Sequence, residues 1–477
     1  MTLVIGLIQG RALSAHALPD APAPTLPQTT SIGTGDIDEP RLTIFPHADT
    51  TPWLLAGQAN IIFQAHPGFH SPYQGPNSFR NGGEYKTSLL GTLYLGYQLE
   101  RGIRGETPTW SERYSTDVIA DFESSGGRGL SQALGLAGFT NLDVVRNPNL
   151  GSTPYVARVQ FHQTIGFTNE MTKAERTPFS LATEVPVRRL ELRLGKMSLP
   201  DLLDINDVLS DSHLQFTNWT ADNNGAWDYA ADTRGYTYAG AIDYEDRNWG
   251  VRYVLAAMPT VANGIDLDWA LSRARGQNGE FELRHGLWPG IAGTQRLLFY
   301  ANNAHMGDYR ESVERYVNGI DPKPSIQNTE RLGTLKYGFG YNTEEQVTEH
   351  LRIGGRFGWN EGQHESYAYT EVDQTVLLGG DYDGAQWGRT KDKVGLSFVS
   401  NAIKKDHQNY LADGGLGFML GDGRLNYGRE NIEEAYYNAH AWSGLYFALG
   451  LSHINDPGYN RDRGPIWVPS VRCHVDF

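Results

Sequence analysis

The segment 200–233 concentrates side chains that suit the recognition of hydroxyl-rich molecules. Its acids and amides exchange hydrogen bonds with hydroxyl groups, and its aromatic rings offer flat apolar faces on which a sugar ring stacks. The aromatic candidates are Trp219, Trp227 and Tyr229. A rim or girdle position for these rings is the alternative, and the sequence alone leaves open whether the segment folds into an interior.

A second group of candidates consists of charged residues that alternate with apolar ones. The group comprises Arg158, Glu191, Arg193, Asp243, Arg252, Glu282, Arg284, Arg352 and Arg356. An arginine fork donates several hydrogen bonds and keeps its charge, and facing acids hold such forks in place. We predict that these side chains line a polar, water-filled path. The alternative is that they only hydrate and brace a wall.

The motifs do not indicate metal or nucleotide chemistry. Asp204 and Asn206 begin like a calcium loop, but Val208 and Leu209 stand at the third-ligand and glycine positions, and Gln215 replaces the closing glutamate. This pattern excludes an EF-hand and leaves an irregular surface calcium site open. Zinc motifs, phosphate-binding glycine loops and the G-x-S-x-G nucleophile motif are missing from the sequence. We therefore expect no cofactor, no metal and no catalysis.

Composition narrows the class of protein. The chain has 477 residues, a net charge of −15 and a sequence pI near 5.4, which argues against nucleic acid as a partner. Its single cysteine, Cys473, excludes an intramolecular disulfide. Mean hydropathy is −0.45, and no stretch approaches the roughly 20 apolar residues of a membrane helix. Glycine and aromatic content fits either a membrane barrel or a soluble all-β carbohydrate enzyme.

The elements that must position these residues are strands. Apolar and polar residues alternate, most clearly in 351–360 and in the closing stretch 467–477, and a period of two indicates β-structure. The predicted strands are 53–65, 86–100, 113–122, 154–168, 187–199, 234–245, 249–258, 280–287, 294–303, 332–342, 351–360, 367–379, 393–401, 432–439, 445–454 and 465–477. An aromatic C-terminal residue on such a strand is what an outer-membrane barrel offers its assembly machinery.

The lengths of the links between strands indicate which face lies inside. Links after odd-numbered strands are mostly long: 66–85, 123–153, 200–233, 260–279, 304–331 and 402–431. Links after even-numbered strands are mostly short, such as 246–248, 288–293 and 343–350. Two links depart from this pattern, because 169–186 is long for a turn and 361–366 is short for an outer loop. Alternating long loops and short turns are typical of transmembrane barrels.

This pattern assigns the two faces of the last strand. Val471 and Val475 are predicted to face lipid, and Arg472 and His474 are predicted to face the lumen or its periplasmic mouth. The resulting domain organisation has three regions. Residues 1–17 read as a signal peptide that lacks a basic start, 18–52 as a disordered leader rich in Pro, Thr and Asp, and 53–477 as the barrel.

From about Leu55 to Phe477 the chain resembles the carbohydrate-selective porins of Gram-negative bacteria, the OprB-like family. The stretches that carry the resemblance are 57–60, 72–78, 135–141, 216–219, 225–232, 235–237, 434–437, 455–460 and the terminal Phe477. The resemblance implies a sixteen-stranded outer-membrane channel through which sugars pass by diffusion. The strand count made from the alternation alone agrees with it.

Together these observations predict an all-β fold, a transmembrane antiparallel up-and-down β-barrel of about sixteen strands, with long extracellular loops and short periplasmic turns. The predicted function is passive diffusion of mono- or oligosaccharides across a Gram-negative outer membrane. An exopolysaccharide exporter of the same class and a secreted glycoside hydrolase using Asp204 and Asp207 are the alternatives. Expected partners are sugars, membrane lipid and lipopolysaccharide, and the assembly machinery through the Phe477 strand; a homotrimer stays open.

Overall fold

The computed structural model describes residues 43–100, 114–146 and 150–477. The predicted signal peptide, residues 1–17, and most of the predicted leader, residues 18–52, lie outside these ranges. So does the link between the second and third predicted strands. Within the described residues, none of the helices combines the length and the apolar character needed to cross a membrane.

Sixteen antiparallel strands of the described chain close into one barrel. They are β1 Trp53–His66, β2 Glu84–Glu100, β3 Tyr114–Gly127, β4 Tyr155–Gly166, β7 Arg189–Met197, β8 Thr237–Glu245, β9 Trp249–Ala257, β10 Arg275–Leu283, β11 Ala292–Met306, β12 Arg331–Gln346, β13 Leu351–Asn360, β14 Gln374–Gly384, β15 Arg389–Ala402, β16 Glu430–Trp442, β17 Leu445–Asn455 and β18 Ile466–Asp476. The strands β5 Met171–Lys173 and β6 Glu184–Pro186 form a separate hairpin. Each barrel strand pairs with the barrel strands before and after it in the chain, which confirms the up-and-down topology.

The last strand closes the barrel against the first. Gln58 of β1 pairs with Asp476 of β18, and Phe477 continues the ladder through two backbone hydrogen bonds with Gly57, at 2.6 and 2.9 Å. A Cβ on residue 57 would lie 2.5 Å from the Phe477 ring, so the absence of a side chain makes room for that ring. The predicted closing role of the C-terminal strand is confirmed.

The apolar faces of the strands point outward. In β18, Val471 is 47 % exposed, whereas Arg472 is 3 % and His474 is 1 % exposed, as predicted. The other outward-facing apolar side chains include Ile61, Phe63, Leu89, Leu93, Phe161, Leu194, Ile242, Val251, Phe281, Leu297, Phe299, Phe339, Leu378, Leu396, Phe398, Phe447 and Leu449. A monomer in water rarely exposes a contiguous apolar surface of this extent, whereas lipid requires it.

The two ends of the barrel differ in their links. We call the end that carries Trp53 and Phe477 the terminus end, and the opposite end the loop end. Long links meet at the loop end: 67–83, 128–154, 198–236, 258–274, 307–330, 361–373, 403–429 and 456–465. Short links lie at the terminus end: 246–248, 284–291, 347–350, 385–388 and 443–444, with 167–188 as a long exception among the described links. The alternation of long and short links is therefore confirmed for the described chain.

One predicted strand begins too early. The stretch 367–379 was expected to form a strand, but β14 begins at Gln374. The backbone N–H groups of Tyr367, Ala368 and Tyr369 donate to the Asp228 carboxylate instead of to a neighbouring strand. The preceding loop-end link is therefore longer than predicted, which removes one of the two exceptions to the link pattern.

A second predicted strand is displaced in the other direction. The stretch 280–287 was expected to be a strand, and β10 spans Arg275–Leu283. Its first residues pair with β9, with Arg275 opposite Ala257. Arg284 therefore follows the strand and begins the turn.

The hydrophobic core lies inside the barrel. The loop-end links carry three short helices, α1 Trp219–Asp222, α2 Tyr309–Val317 and α3 Lys405–Ala412. Asn218 caps α1 and Asp308 caps α2, each accepting a backbone N–H with its side chain. Fully buried apolar residues from these links include Phe79, Leu130, Leu136, Phe139, Leu203, Leu209, Phe216, Trp227, Tyr309, Tyr367, Tyr410, Met419 and Tyr459. The lumen is thus narrowed by packed links that fold inward from the loop end.

Candidate functional site

The segment 198–236 folds into the barrel and is fastened to the wall by a buried ion pair. Asp204 and Arg356 are each 2 % exposed, and Arg356 Nε lies 3.0 Å from Asp204 Oδ2. The same guanidinium donates to the backbone carbonyl oxygens of Asp204 and Ala221, at 2.7 and 2.6 Å. Buried charges are tolerated when they are paired and hydrogen-bonded, so this contact holds the segment in the lumen.

A second buried charge joins this segment to the link 361–373. The Asp228 carboxylate accepts the backbone N–H groups of Tyr367 and Ala368, at 2.8 and 2.7 Å. It also lies 3.2 Å from Lys336 Nζ of β12, whose side chain is fully buried. Two loop-end links are therefore locked to each other and to the wall around one carboxylate.

These links leave a cavity of about 250 Å³, which we call the loop-side chamber. Its aromatic lining comprises Tyr94, Tyr155, Phe179, Trp219, Tyr229, Tyr236 and Tyr369. Trp219 stacks on Tyr369 with ring centroids 5.9 Å apart and planes 9° from parallel, and Tyr229 meets Tyr369 at 4.7 Å. Trp219, Tyr229 and Tyr369 are 7, 7 and 5 % exposed, so packing holds these rings in place and only a small part of each borders the chamber.

Arg158 of β4 borders the loop-side chamber in a fixed orientation. Its Nε and Nη2 donate to the two carboxylate oxygens of Asp201, at 2.7 Å each. Its guanidinium carbon lies 4.8 Å from the ring centroid of Phe179 and 5.2 Å from that of Tyr236. Bidentate pairing and ring contacts together hold the plane of this fork.

A second cavity of about 400 Å³ lies toward the terminus end, and we call it the terminus-side chamber. Its charged lining comprises Lys173, Glu175, Arg189, Glu191, Arg193, Asp201, Asp243, Glu245, Arg252, Glu282, Arg284, Arg296 and Glu344. Arg252 is the centre of this set. It contacts Asp243, Glu245, Glu280 and Glu282 at 3.1, 2.5, 3.1 and 2.9 Å.

The ion pairs continue around the wall on both sides of Arg252. Glu282 also lies 2.8 Å from Arg284 Nε and 2.9 Å from Arg296 Nε. On the other side, Glu191 pairs with Arg189 at 2.6 Å and with Arg193 at 3.3 Å. Each fork is therefore oriented by a carboxylate, and an ordered belt of charge runs along the wall of the chamber from β7 to β11.

The structure brings most of the sequence-predicted residues into these two chambers. Glu191, Arg193, Asp243, Arg252, Glu282 and Arg284 line the terminus-side chamber, and Arg158, Trp219 and Tyr229 line the loop-side chamber. The other three lie elsewhere. Arg356 fastens the inward segment, Arg352 pairs with Asp381 of β14 at 2.8 Å, and Trp227 is 1 % exposed with its Nε1 donating to Asn278 of the wall at 2.9 Å.

Several lining residues were missed at the level of sequence. Arg296 and Glu344 belong to strands whose polar faces resemble those of every other strand, so they carry no distinguishing signal. Tyr369 belongs to the predicted strand 367–379, which begins at Gln374 in the structure. Phe179 has an indirect signal, because it lies in the link 169–186, which is long for a turn.

Two titratable groups of the inward segment have shifted pKa values. Burial raises the pKa of Asp222 to about 7. The positive charge of Arg356 opposes this rise, whereas the negative charges of Asp211 and Asp204 add to it. Burial alone would lower the pKa of His213, but the hydrogen bond and charge of Asp143 raise it to about 9. Both side chains line the loop-side chamber. Near neutral pH, His213 is therefore cationic, and Asp222 changes its charge.

Asp222 is expected to make the cation preference of the chamber depend on pH. Below its pKa of about 7 the carboxyl is neutral, and above it the carboxylate adds a negative charge to the lining. Preference for potassium over chloride should rise between about pH 5.5 and about pH 8.5, and Asp222→Asn should flatten this rise. Reversal potentials in a salt gradient measure it.

Asp268→Asn is the matched control for this experiment. The pKa of Asp268 is lowered by a hydrogen bond from the Ala270 backbone, so its carboxylate stays ionised over the whole interval. Removal of the Asp268 charge should shift the reversal potentials at about pH 5.5 and at about pH 8.5 by the same amount. An Asp222→Asn protein with the pH dependence of the unmodified protein would contradict the assignment.

Comparison with family models identifies one family. A family model described as carbohydrate-selective porin, OprB family, matches residues 117–477. OprB of Pseudomonas putida, a solved structure, superposes with a TM-score of 0.65 at 14 % identity, over 89 % of this chain and 94 % of that one. This likeness shows a common fold. No curated protein matches the sequence.

More distant solved structures also match. The outer-membrane channel DcaP of Acinetobacter baumannii has a TM-score of 0.45 at 9 % identity, over 89 % of this chain and 97 % of that one. The anion-selective porin from Comamonas acidovorans has a TM-score of 0.45 at 10 % identity, over 89 % of this chain and 99 % of that one.

Proposed function

The chain belongs to the carbohydrate-selective porin family, OprB, and from this premise we propose that sugars cross it by passive diffusion through the two chambers in turn. The observation that carries the proposal is the change of lining inside one closed barrel. Both cavities are lined by charged side chains, but the cavity near the loop end adds seven aromatic rings, whereas Phe179 is the one aromatic ring among the described residues that line the cavity near the terminus end. The concentration difference drives the movement, and we propose uptake toward the periplasm.

The loop-side chamber suits the first contact with a sugar. A pyranose ring has an apolar face of C–H groups and an edge of hydroxyls. The exposed parts of the Trp219 and Tyr369 rings supply apolar lining for the face. The fixed fork of Arg158 and the side chains of Asp222 and Asn223 supply partners for the hydroxyls.

The terminus-side chamber suits passage rather than tight binding. Most of its forks and carboxylates already pair with one another, as the four contacts of Arg252 illustrate. A hydroxyl therefore exchanges one hydrogen bond for another of similar strength, with little net gain at any point. Transport needs binding that is favourable enough for entry and weak enough for release, and a belt of equivalent partners meets that need.

The rival functions receive less support from the site. A hydrolase would need an available pair of carboxylates, and Asp204, one of the two candidates, is 2 % exposed and paired with Arg356. The family and the fold indicate a channel rather than an enzyme. Polysaccharide export would use the same wall, but the matching family is described as one of carbohydrate-selective porins.

Location and partners follow from the same proposal. Porin neighbours and the apolar exterior support insertion in the outer membrane of a Gram-negative bacterium, with the terminus end in the periplasm. Lipid and lipopolysaccharide would then surround the apolar band. We propose that the β18 strand with Phe477 is the segment that the barrel-assembly machinery binds. We also propose that the protein assembles into a trimer, which a measurement of the native molecular mass tests.

Purified protein in a planar bilayer is expected to give discrete conductance steps that added sugar reduces. Trp219→Ala should weaken the block by about 1 kcal/mol, or roughly fivefold in concentration, because a stacking surface is lost. Trp219→Phe should retain most of the block, since a ring remains.

The control is Trp288→Ala, which removes an exposed tryptophan from the turn 284–291, outside both chambers. It should leave the block unchanged. Bilayers that show no conductance steps would contradict the porin function itself. Equal sugar block in the Trp219→Ala and unmodified proteins would remove Trp219 from the path.

A further inference from the structure

The two chambers share part of their lining, and we call the residues between them the waist. Three residues line both cavities: Phe179, Asp201 and Ile205. Asp201 and Ile205 belong to the inward segment from the loop end, and Phe179 belongs to the link 167–188 from the terminus end. On the proposed path, a molecule that moves from one chamber to the other passes these residues, which come from an inward segment and from a terminus-end link.

The link 167–188 is fastened so that Phe179 keeps its position. Before Phe179, Arg176 donates to the backbone carbonyl oxygens of Ala48, Thr51 and Trp53, at 2.9, 2.9 and 2.7 Å. Arg176 is 3 % exposed. Three carbonyl partners on the N-terminal side of β1 thus anchor the incoming half of the link.

The outgoing half is anchored as well. The Leu181 N–H donates to Asp117 Oδ2 of β3 at 3.0 Å, and the Leu181 side chain, 2 % exposed, packs with Leu54 and Tyr94. The Phe179 carbonyl itself accepts a hydrogen bond from Arg193 Nη1 at 2.8 Å. With fixed points on both sides, the half-buried ring of Phe179 is held at the waist.

The Phe179 ring also determines what the polar groups at the waist present to a passing molecule. The Arg158 guanidinium lies 4.8 Å from the ring centroid and pairs through two hydrogen bonds with Asp201, which follows the neighbouring strand β7. The waist is therefore one apolar ring beside one ion pair. This combination matches the apolar face and the hydroxyl edge of a single sugar ring.

We propose that Phe179 is a specificity-determining residue, whose ring sets the largest cross-section of carbohydrate that passes from the loop-side to the terminus-side chamber. This inference rests on the proposed sugar transport. The selective element comes from the terminus-end link, so selection is shared between the two ends of the barrel. Single pyranose rings and linear chains of them pass the ring edge-on, and branched oligosaccharides do not.

The test is proteoliposome swelling with a monosaccharide, a linear trisaccharide and a branched trisaccharide. Phe179→Ala should raise the rate for the branched sugar relative to the monosaccharide about tenfold, the discrimination that one well-placed apolar group supplies. Phe179→Trp should lower the rates for both trisaccharides. Heat-modifiable migration on a gel shows that each variant is folded.

Phe167→Ala is the matched control, because Phe167 belongs to the same link but is 45 % exposed on the outside of the barrel. It should leave all three rates unchanged. Unmodified protein that passes no monosaccharide would overturn the proposed transport. Unmodified protein that passes it, with the same rate ratio in Phe179→Ala and Phe179→Trp, would overturn the role of Phe179 alone and leave it a packing partner of Arg158.

Discussion

Arg356→Ala is expected to lower the free energy of unfolding by about 3–5 kcal/mol, because it leaves the buried Asp204 carboxylate without its cation. The same substitution frees the Asp204 and Ala221 carbonyl oxygens that the guanidinium binds. The inward segment 198–236 should then loosen. We expect noisier conductance steps and weaker block by sugar in planar bilayers. Denaturant unfolding in lipid vesicles measures the change in the free energy of unfolding.

Arg310→Ala is the matched control for Arg356→Ala. Arg310 also pairs with an aspartate, Asp406, through two hydrogen bonds, but its side chain is 57 % exposed at the loop end. Exposed pairs contribute little to stability, so no measurable change is expected. Equal unfolding curves for the two variants would show that the Asp204 pair does not fasten the segment.

Arg252→Ala is expected to shift the ion selectivity strongly toward cations. The substitution removes one positive charge from the centre of four carboxylates, which are 3.1 Å or less from the guanidinium. Replacing Arg193 and Arg284 as well should extend the shift, because both line the same chamber. Reversal potentials in a salt gradient measure the change.

Arg247→Ala removes the same charge from the turn 246–248, where Arg247 pairs with Glu170 and its side chain is 49 % exposed. Screening by salt should reduce its effect on the path. A reversal potential that stays constant in Arg252→Ala would place the Arg252 network outside the route of the ions, while a shift in both variants would indicate a general effect of net charge.

The sequence predicted the wall better than the interior. Alternation located all sixteen barrel strands, and link lengths oriented their faces, as the exposure of Val471 and burial of Arg472 show. The strand prediction failed where apolar and polar residues alternate outside a strand. Tyr367 and Tyr369 look like a strand face, but their N–H groups bind Asp228 in a packed link.

For the candidate site, the sequence indicated the faces of the strands but not the contacts of each side chain. Charged residues on strands were expected to face inward, since the period of two assigns a face directly, and Arg158, Arg193 and Glu282 are among those that are buried. The sequence did not indicate the role of each charged residue. Arg252, Arg352 and Arg356 have equivalent sequence signals, yet one lies in a chamber, one pairs with the neighbouring strand and one fastens a segment.

The sequence by itself determined a closed barrel with an apolar exterior, because alternation and link length are local properties that neighbouring residues carry. Only the tertiary structure decided which links fold inward, which acid meets which arginine and where the lumen narrows. Asp204 and Arg356 are 152 positions apart, and Phe179, from a link at the terminus end, meets Arg158 of the wall. Such contacts depend on the closure of the whole wall, and no local pattern encodes them.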